Sequence, residues 1–351
     1  MGQRTRNWGK RLLLGTALMG LLALPVMAEK GQIRQVFGKL GLLPSVSEPP
    51  QNPSSPAKVE LGNILFFDSR LSGDGKLACV SCHIPGLGWA DGRTKGIGYR
   101  GKPLPRNVPT LLNAAYYDAF FHDGRTLSLE EQAKGPILNP DEMHGDAEQI
   151  AATLKGIPEY RERFHAVFNA DPSLDTAAAA LAAFERTIVS KNSAFDHWIE
   201  GDDGTLSPAA RRGLELFTNK ADCTSCHKGP NFSDGKYHNI GIPGSGTTDR
   251  GRFEVTKKPS DLGAFKTPSL RNVALTGPYM HDGSVTTLFD AVKHYQTVDL
   301  DFPNLDPLID HWDLSDQDVS DIVEFLKALT GEPVPVHLPK LPGYPTLSQG
   351  R

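Results

Sequence analysis

The 351-residue chain contains four cysteines, and all four fall in two strings of one pattern: Cys79-Val80-Ser81-Cys82-His83 and Cys223-Thr224-Ser225-Cys226-His227. Cysteines two residues apart suit a disulfide framework, a zinc site or a pair of thioether bonds. A histidine directly after the second cysteine, in both strings, selects the last. Two thiols bond to the porphyrin edge and the next imidazole ligates the iron. The spacing therefore predicts two covalent haem c groups, on Cys79 and Cys82 and on Cys223 and Cys226, with His83 and His227 as iron ligands.

The surroundings of the two strings repeat. Leu61-Gly62 and Leu65-Phe66 precede the first, and Arg212-Gly213 and Leu216-Phe217 precede the second. An aromatic, a small residue and Asp-Gly follow each, as Trp89 to Gly92 and Phe232 to Gly235. Pro109-Thr110-Leu111-Leu112-Asn113 then matches Pro268-Ser269-Leu270-Arg271-Asn272, and thirteen residues past each proline stands His-Asp-Gly, beginning at His122 and His281. Such shared spacing is the mark of one structural unit used twice. It predicts two cytochrome c-like haem domains facing each other.

The elements that position these residues read as helices joined by long loops. Residues 147–168 are periodic and interrupted at Pro158, and 174–198 carry an apolar spacing at Leu181, Phe184 and Ile188. Ser315 caps a last helix, with Asp318 three residues on and Gly331 ending it. Residues 201–208 are turn-rich and mark a boundary. The expected division is a leader at 1–28, an N-terminal haem domain at 29–205, a C-terminal haem domain at 206–332 and a Pro-rich extended tail at 333–351. The fold class expected is mostly α with little sheet, the loops wrapping the porphyrins.

Arg4, Arg6, Lys10 and Arg11 precede an apolar run from Leu12 to Leu24 and small residues at Ala28, the layout of a secretory signal peptide. This points to export to the periplasm and to no membrane span in the mature chain. Removing those four basic residues leaves 33 Lys plus Arg against 41 Asp plus Glu, a formal charge of −8. An acidic chain gives no reason to expect nucleic acid or an anionic membrane as partner.

From about Gly62 to Gly331 the chain resembles the bacterial dihaem cytochrome c peroxidase and MauG superfamily. The resemblance is carried by Arg106-Asn107-Val108-Pro109-Thr110, Asp123-Gly124-Arg125, Glu131-Gln132-Ala133, Asn139-Pro140-Asp141-Glu142-Met143 and Ser269 through Gly283. It implies a peroxide-reactive N-terminal haem, a C-terminal haem that stores or relays electrons, and a calcium ion between them. Gln132 and Glu142 match the family's distal glutamine and glutamate. Breaking the O–O bond of peroxide heterolytically needs a proton moved from one oxygen to the other, which a carboxylate can do as base and then acid. A neutral amide can hold peroxide without competing for that proton. Asn107 matches the side-chain calcium ligand, and Thr276 and Pro278 match carbonyl donors, oxygen being the donor this hard ion takes.

The string Ala291-Val292-Lys293-His294-Tyr295 ends in tyrosine where cytochrome-serving peroxidases place Met, so the MauG-like ligand Tyr295 is predicted above the second haem, with His294 as competitor. A tyrosine ligand favours oxidised iron, whereas Met raises the potential. No histidine occurs between His83 and His122, so the loop that caps the reactive iron in many relatives lacks its imidazole here. That predicts a first haem open to peroxide in the resting state. His122 departs from the family's tryptophan; it either diverts the inter-haem route or mirrors His281 and binds a carbonyl or propionate. Arg125, Arg252 and Arg271 are candidates for the propionates.

The leading expectation is a periplasmic peroxidase that reduces hydrogen peroxide to water, its electrons coming from a small redox protein. The first alternative is peroxide-dependent modification of side chains on a partner protein, as in MauG. The second is a non-enzymatic dihaem electron carrier, against which Gln132 and Glu142 speak.

Overall fold

The structure, a computed structural model, describes Phe37 and residues 40–343; the expected leader and the last eight residues lie outside the described residues. The first half is built on five helices: α1 (Pro56–Phe66), α2 (Leu129–Leu138), α3 (Ala147–Lys155), α4 (Pro158–Phe168) and α5 (Leu174–Glu185). Ser55 caps α1 by accepting from the Lys58 amide, and proline stands in its first turn. α1 lies across α5. A Cβ at Gly62 would overlap the Ala180 carbonyl, so glycine is what lets the two backbones meet. Ala177, Ala178, Ala180, Ala182 and Ala183 of α5 bury completely, and Leu61, Ile64, Phe66, Tyr160 and Phe164 fill the rest of the core. Each large apolar side chain so buried contributes about 1.5–3 kcal/mol.

The second half repeats the plan. α6 (Ala194–Glu200), α7 (Pro208–Thr218), α9 (Leu288–Thr297) and α10 (Asp316–Lys327) surround Phe195, Phe217, Phe232 and Phe325, and a single turn α8 (Phe253–Thr256) lies outside that core. These rings meet edge to face, Phe217 to Phe325 at 5.2 Å and Phe195 to Phe232 at 5.4 Å. α7 crosses α10 at Gly213, where a Cβ would strike the Asp321 carbonyl, as at Gly62 in the first half. The sheet among the described residues is one antiparallel pair, β1 (Tyr237–His238) and β2 (Phe265–Lys266). The fold is mostly α, as expected.

The duplication is written in the backbone. Trp89 and Phe232 adopt φ of 58° and 49°, Asn113 and Asn272 60° and 61°, Phe121 and Met280 66° and 73°. Positive φ is uncommon outside glycine, so its recurrence at matched positions marks one unit used twice. Each asparagine also holds the end of its half's last helix: Asn113 N–H donates to the Ile188 carbonyl at 2.9 Å, and Asn272 N–H to Leu329 at 3.1 Å.

Two elements differ from the sequence expectation. Residues 174–198 form two helices, because 186–193 spends its polar groups elsewhere: the Ser190 backbone exchanges bonds with the Asn113 side chain at 2.9 and 3.0 Å, and its hydroxyl donates to Asn272. Gly331 does not end α10, which stops at Lys327; its N–H donates to Asn272 Oδ1 at 2.9 Å.

The cores do not follow chain order. Phe195 and Trp198, before the expected boundary at 205, belong to the second core, as do Phe37 and Leu40. Phe37 meets Trp198 at 6.1 Å between ring centroids. In the other direction the Pro-rich tail returns to the first core. Val334 and Leu341 pack on it, Asn63 Nδ2 donates to the His337 carbonyl at 3.0 Å, and an Arg70 guanidinium N–H to Pro342 at 2.8 Å.

Candidate active site

Each Cys-x-x-Cys-His string opens with a 3-10 turn, Cys79–Ser81 and Cys223–Ser225, and none of the four cysteines is in a disulfide. The turn brings each histidine back under its string. His83 Nδ1 lies 3.1 Å from the Trp89 carbonyl and His227 Nδ1 lies 2.9 Å from the Phe232 carbonyl. A carbonyl only accepts, so Nδ1 carries the proton in both rings and Nε2 presents its lone pair. Burial holds both imidazoles below their ordinary range, in the neutral form that binds iron. The repeated Asp-Gly turn exists to place those two carbonyls.

A cavity of about 340 Å³ runs between the halves. Cys223, Cys226, His227 and Tyr295 line it, and so does Gln132 from α2. Tyr295, on α9, is held against Trp312 at 5.5 Å, and burial raises its hydroxyl's pKa. Its neighbour His294 points away: its Nε2–H donates to the Ile240 carbonyl at 2.7 Å. The two candidate ligands are thus separated by one residue's turn of helix. The apolar walls, among them Leu270, Val292 and Leu326, together with Cys223, Cys226 and a poised imidazole, fit a covalent porphyrin.

Glu142 sits in the turn after α2, close enough to Cys82 for its charge to oppose that thiol's ionisation. Burial raises the Glu142 carboxyl, opposed by the Asn139 amide, which donates to Oε1 at 2.8 Å, and by Arg125. Gln132 lines the cavity and Glu142 does not. The loop expected to lack a capping histidine is pinned beside Glu142. Tyr99 N–H donates to the Asp141 carbonyl at 3.1 Å, its ring stacks on His144 at 4.2 Å, and Lys102 pairs with Asp141.

Asn107, Thr276 and Pro278 all line the cavity. The Asn107 amide donates to the Arg93 carbonyl at 2.7 Å, and its Oδ1 and the two carbonyls accept no hydrogen bond among the described residues. Oxygens without a donor are what a hard cation takes. Among the described residues no cluster of three His, Cys, Asp or Glu side chains could hold a metal.

His122 Nε2–H donates to the Asn107 carbonyl at 3.0 Å, and burial pulls its pKa down to about 4. Trp89 does not replace the missing tryptophan, since it is buried against Phe66 at 5.7 Å in the first core. The three arginines all hold partners within the protein. Arg271 is buried in a bidentate pair with Asp196 at 2.9 and 3.0 Å, Arg125 pairs with Asp123, and Arg252 donates to the Asp123 and Gly124 carbonyls. Sequence reasoning passed over Arg106, which joins Asp123 of one half to Asp249 of the other at 2.7–2.8 Å. It also passed over His238, gripped between Asp306 and Asp234. Lys266 was missed too. It lines the cavity, and burial brings its ammonium down to about 7. Its signal was its place two residues before the second repeated proline.

Fold and site together define a protein with two c-type haem centres, one with the Glu142 carboxyl near its cysteines. Residues 56–204 match the family Di-haem cytochrome c peroxidase, and 210–330 match Cytochrome c. The chain is 41% identical to the methylamine utilization protein MauG of Methylorubrum extorquens, over 85% of each chain. It is 39% identical to the cytochrome c551 peroxidase of Nitrosomonas europaea, over 88% of this chain and 91% of that one. The crystal structure of a MauG-like protein associated with microbial copper homeostasis superposes with a TM-score of 0.76 at 34% identity, covering 83% of this chain and 94% of that one. The chain belongs to the di-haem cytochrome c peroxidase family. It is a haem peroxidase carrying two haem c groups. No helix among the described residues is long and apolar enough to cross a membrane.

Proposed function

We propose that the protein reduces hydrogen peroxide to water at the N-terminal site, with electrons entering from a small redox protein and passing through the C-terminal site. The observation that carries this is the half-buried carboxyl of Glu142 near Cys82, raised towards the range a proton shuttle needs. The haem iron, when bound, supplies the redox chemistry. Glu142 Oε1 is held by Asn139, which leaves Oε2 to take the proton from one peroxide oxygen and return it to the other as water leaves. Gln132 orients the substrate from α2. Tyr295 is the second ligand at the C-terminal site; the turned-away His294 supports this. Asn107, Thr276 and Pro278 hold calcium. The N-terminal leader reading places the protein in the periplasm.

Glu142→Gln is expected to slow peroxide consumption by about 10²–10⁴-fold in stopped-flow mixing while both haems stay attached. An unchanged rate overturns the role of Glu142. Tyr295→Phe is expected to change the low-spin EPR signal of one haem, and an identical spectrum removes Tyr295 as ligand.

A second reading is oxidative modification of a partner protein's side chains. It is favoured by Tyr295 in place of methionine and by the relative named for methylamine utilization. Fast turnover with a reduced cytochrome supports peroxide reduction. A long-lived oxidised state with poor turnover supports modification.

A further inference from the structure

The repeat carries matched positions across the seam between the halves. Asn107 and Lys266 each stand two residues before the repeated proline, Pro109 or Pro268. Tyr117 and Thr276 each stand eight after it, Ala119 and Pro278 ten, His122 and His281 thirteen. The seam bonds obey the same pairing. Asn107 N–H donates to the His281 carbonyl at 2.8 Å, and Lys266 N–H donates to the His122 carbonyl at 2.8 Å.

The calcium donors proposed above are Asn107, Thr276 and Pro278. Their repeat mates are Lys266, Tyr117 and Ala119. These three meet: Lys266 Nζ donates to the Ala119 carbonyl at 2.9 Å and lies 3.5 Å from the centroid of the Tyr117 ring. The ammonium makes no ion pair with a carboxylate among the described residues, and no carboxylate acts on it electrostatically. Burial works against its charge; the carbonyl and the ring face work for it.

We infer that the seam holds two cation sites related by the duplication, and that Lys266 fills the second with its own ammonium. Where one half offers an amide oxygen to a free cation, the other half brings the cation on a side chain. The inference rests on the proposed calcium reading for its pairing, although the contacts of Lys266 stand without it. Its chemical consequence is that one side of the seam cannot be emptied by a chelator. The Asn107 side responds to calcium, and the Lys266 side does not.

Lys266→Asn gives the second site the donor that the first has. Calcium binding is measured by equilibrium dialysis with ⁴⁵Ca on the dihaem protein, wild type beside Lys266→Asn, Lys266→Gln and Lys266→Met. The amide variants are expected to bind one more calcium per chain than wild type, and to regain thermal stability when calcium is added. The methionine variant is expected to do neither. Equal stoichiometry in wild type and both amide variants overturns the inference. If neither amide variant accumulates as a dihaem protein even in calcium medium while Lys266→Arg does, calcium does not replace the charge, and the inference falls as well. Calcium bound by wild type tests the Asn107 site separately. A wild type that binds none beside an amide variant that binds one supports the Lys266 site and removes the other.

Discussion

Glu185 is a carboxyl that the proposed chemistry does not use. It is 4% exposed at the end of α5, and its Oε2 has no hydrogen-bond partner among the described residues. Burial raises its pKa from 4.5 to about 8. Between those values the folded chain keeps a proton that the unfolded chain has released. Its contribution is therefore fully present below about 4.5 and is lost as pH rises towards 8. Glu185→Gln keeps the neutral shape without the proton. In urea unfolding the variant is expected to gain on wild type steadily from pH 5 to pH 8, by at most roughly 1.4 kcal/mol for each step of one in pH. Parallel curves across that range would show that Glu185 is not held protonated. At this scale the sequence was legible wherever a residue's job is local. The haem strings and the capping pair Ser315 and Asp318 rest on neighbours within a turn or two. Lys266, Arg106 and the pairing of Arg271 with Asp196 were not legible, since each is decided by a partner tens of residues away.

Helix existence was readable from periodicity, and helix crossing was not. Gly62 and Gly213 appeared only as repeated letters before each haem string, yet each is the contact point of a helix pair, α1 with α5 and α7 with α10. Gly62→Ala and Gly213→Ala are each expected to cost about 1–3 kcal/mol in chemical denaturation, because the added methyl meets backbone that cannot yield as a side chain does. An ordinary glycine-to-alanine change inside a helix stabilises instead, by about 1 kcal/mol. A gain at either position would therefore show that the crossing is looser than the geometry states. The same blindness to tertiary demand explains the break after Glu185. The local pattern continues as a helix, but Asn113 and Asn272 claim the next residues from both halves.

Taken whole, the molecule crosses its halves: Phe37 and Leu40 pack into the second core, and Val334 and Leu341 pack onto the first. The sequence showed a Pro-rich tail and nothing about where it lies, because an extended segment carries no periodic signature of its partner. A chain stopped at Pro333 loses the bonds to Asn63 and Arg70 and the cover of Val334 and Leu341. The expected loss is about 3 kcal/mol, from two hydrogen bonds and two partly buried side chains. Hydrogen exchange in α1 is expected to quicken with it, and unchanged protection there would count against the tail as a strap.

This crossing bears on how the protein is made. A ribosome releases the first lobe's helices long before the residues that cover them. The lobe begun first is closed last, by Val334 and Leu341, while Phe37 and Leu40 wait for a core that begins at Phe195. A chain caught before Val334 already holds every residue of the second core and lacks the cover of the first, so the lobe written second closes before the lobe written first.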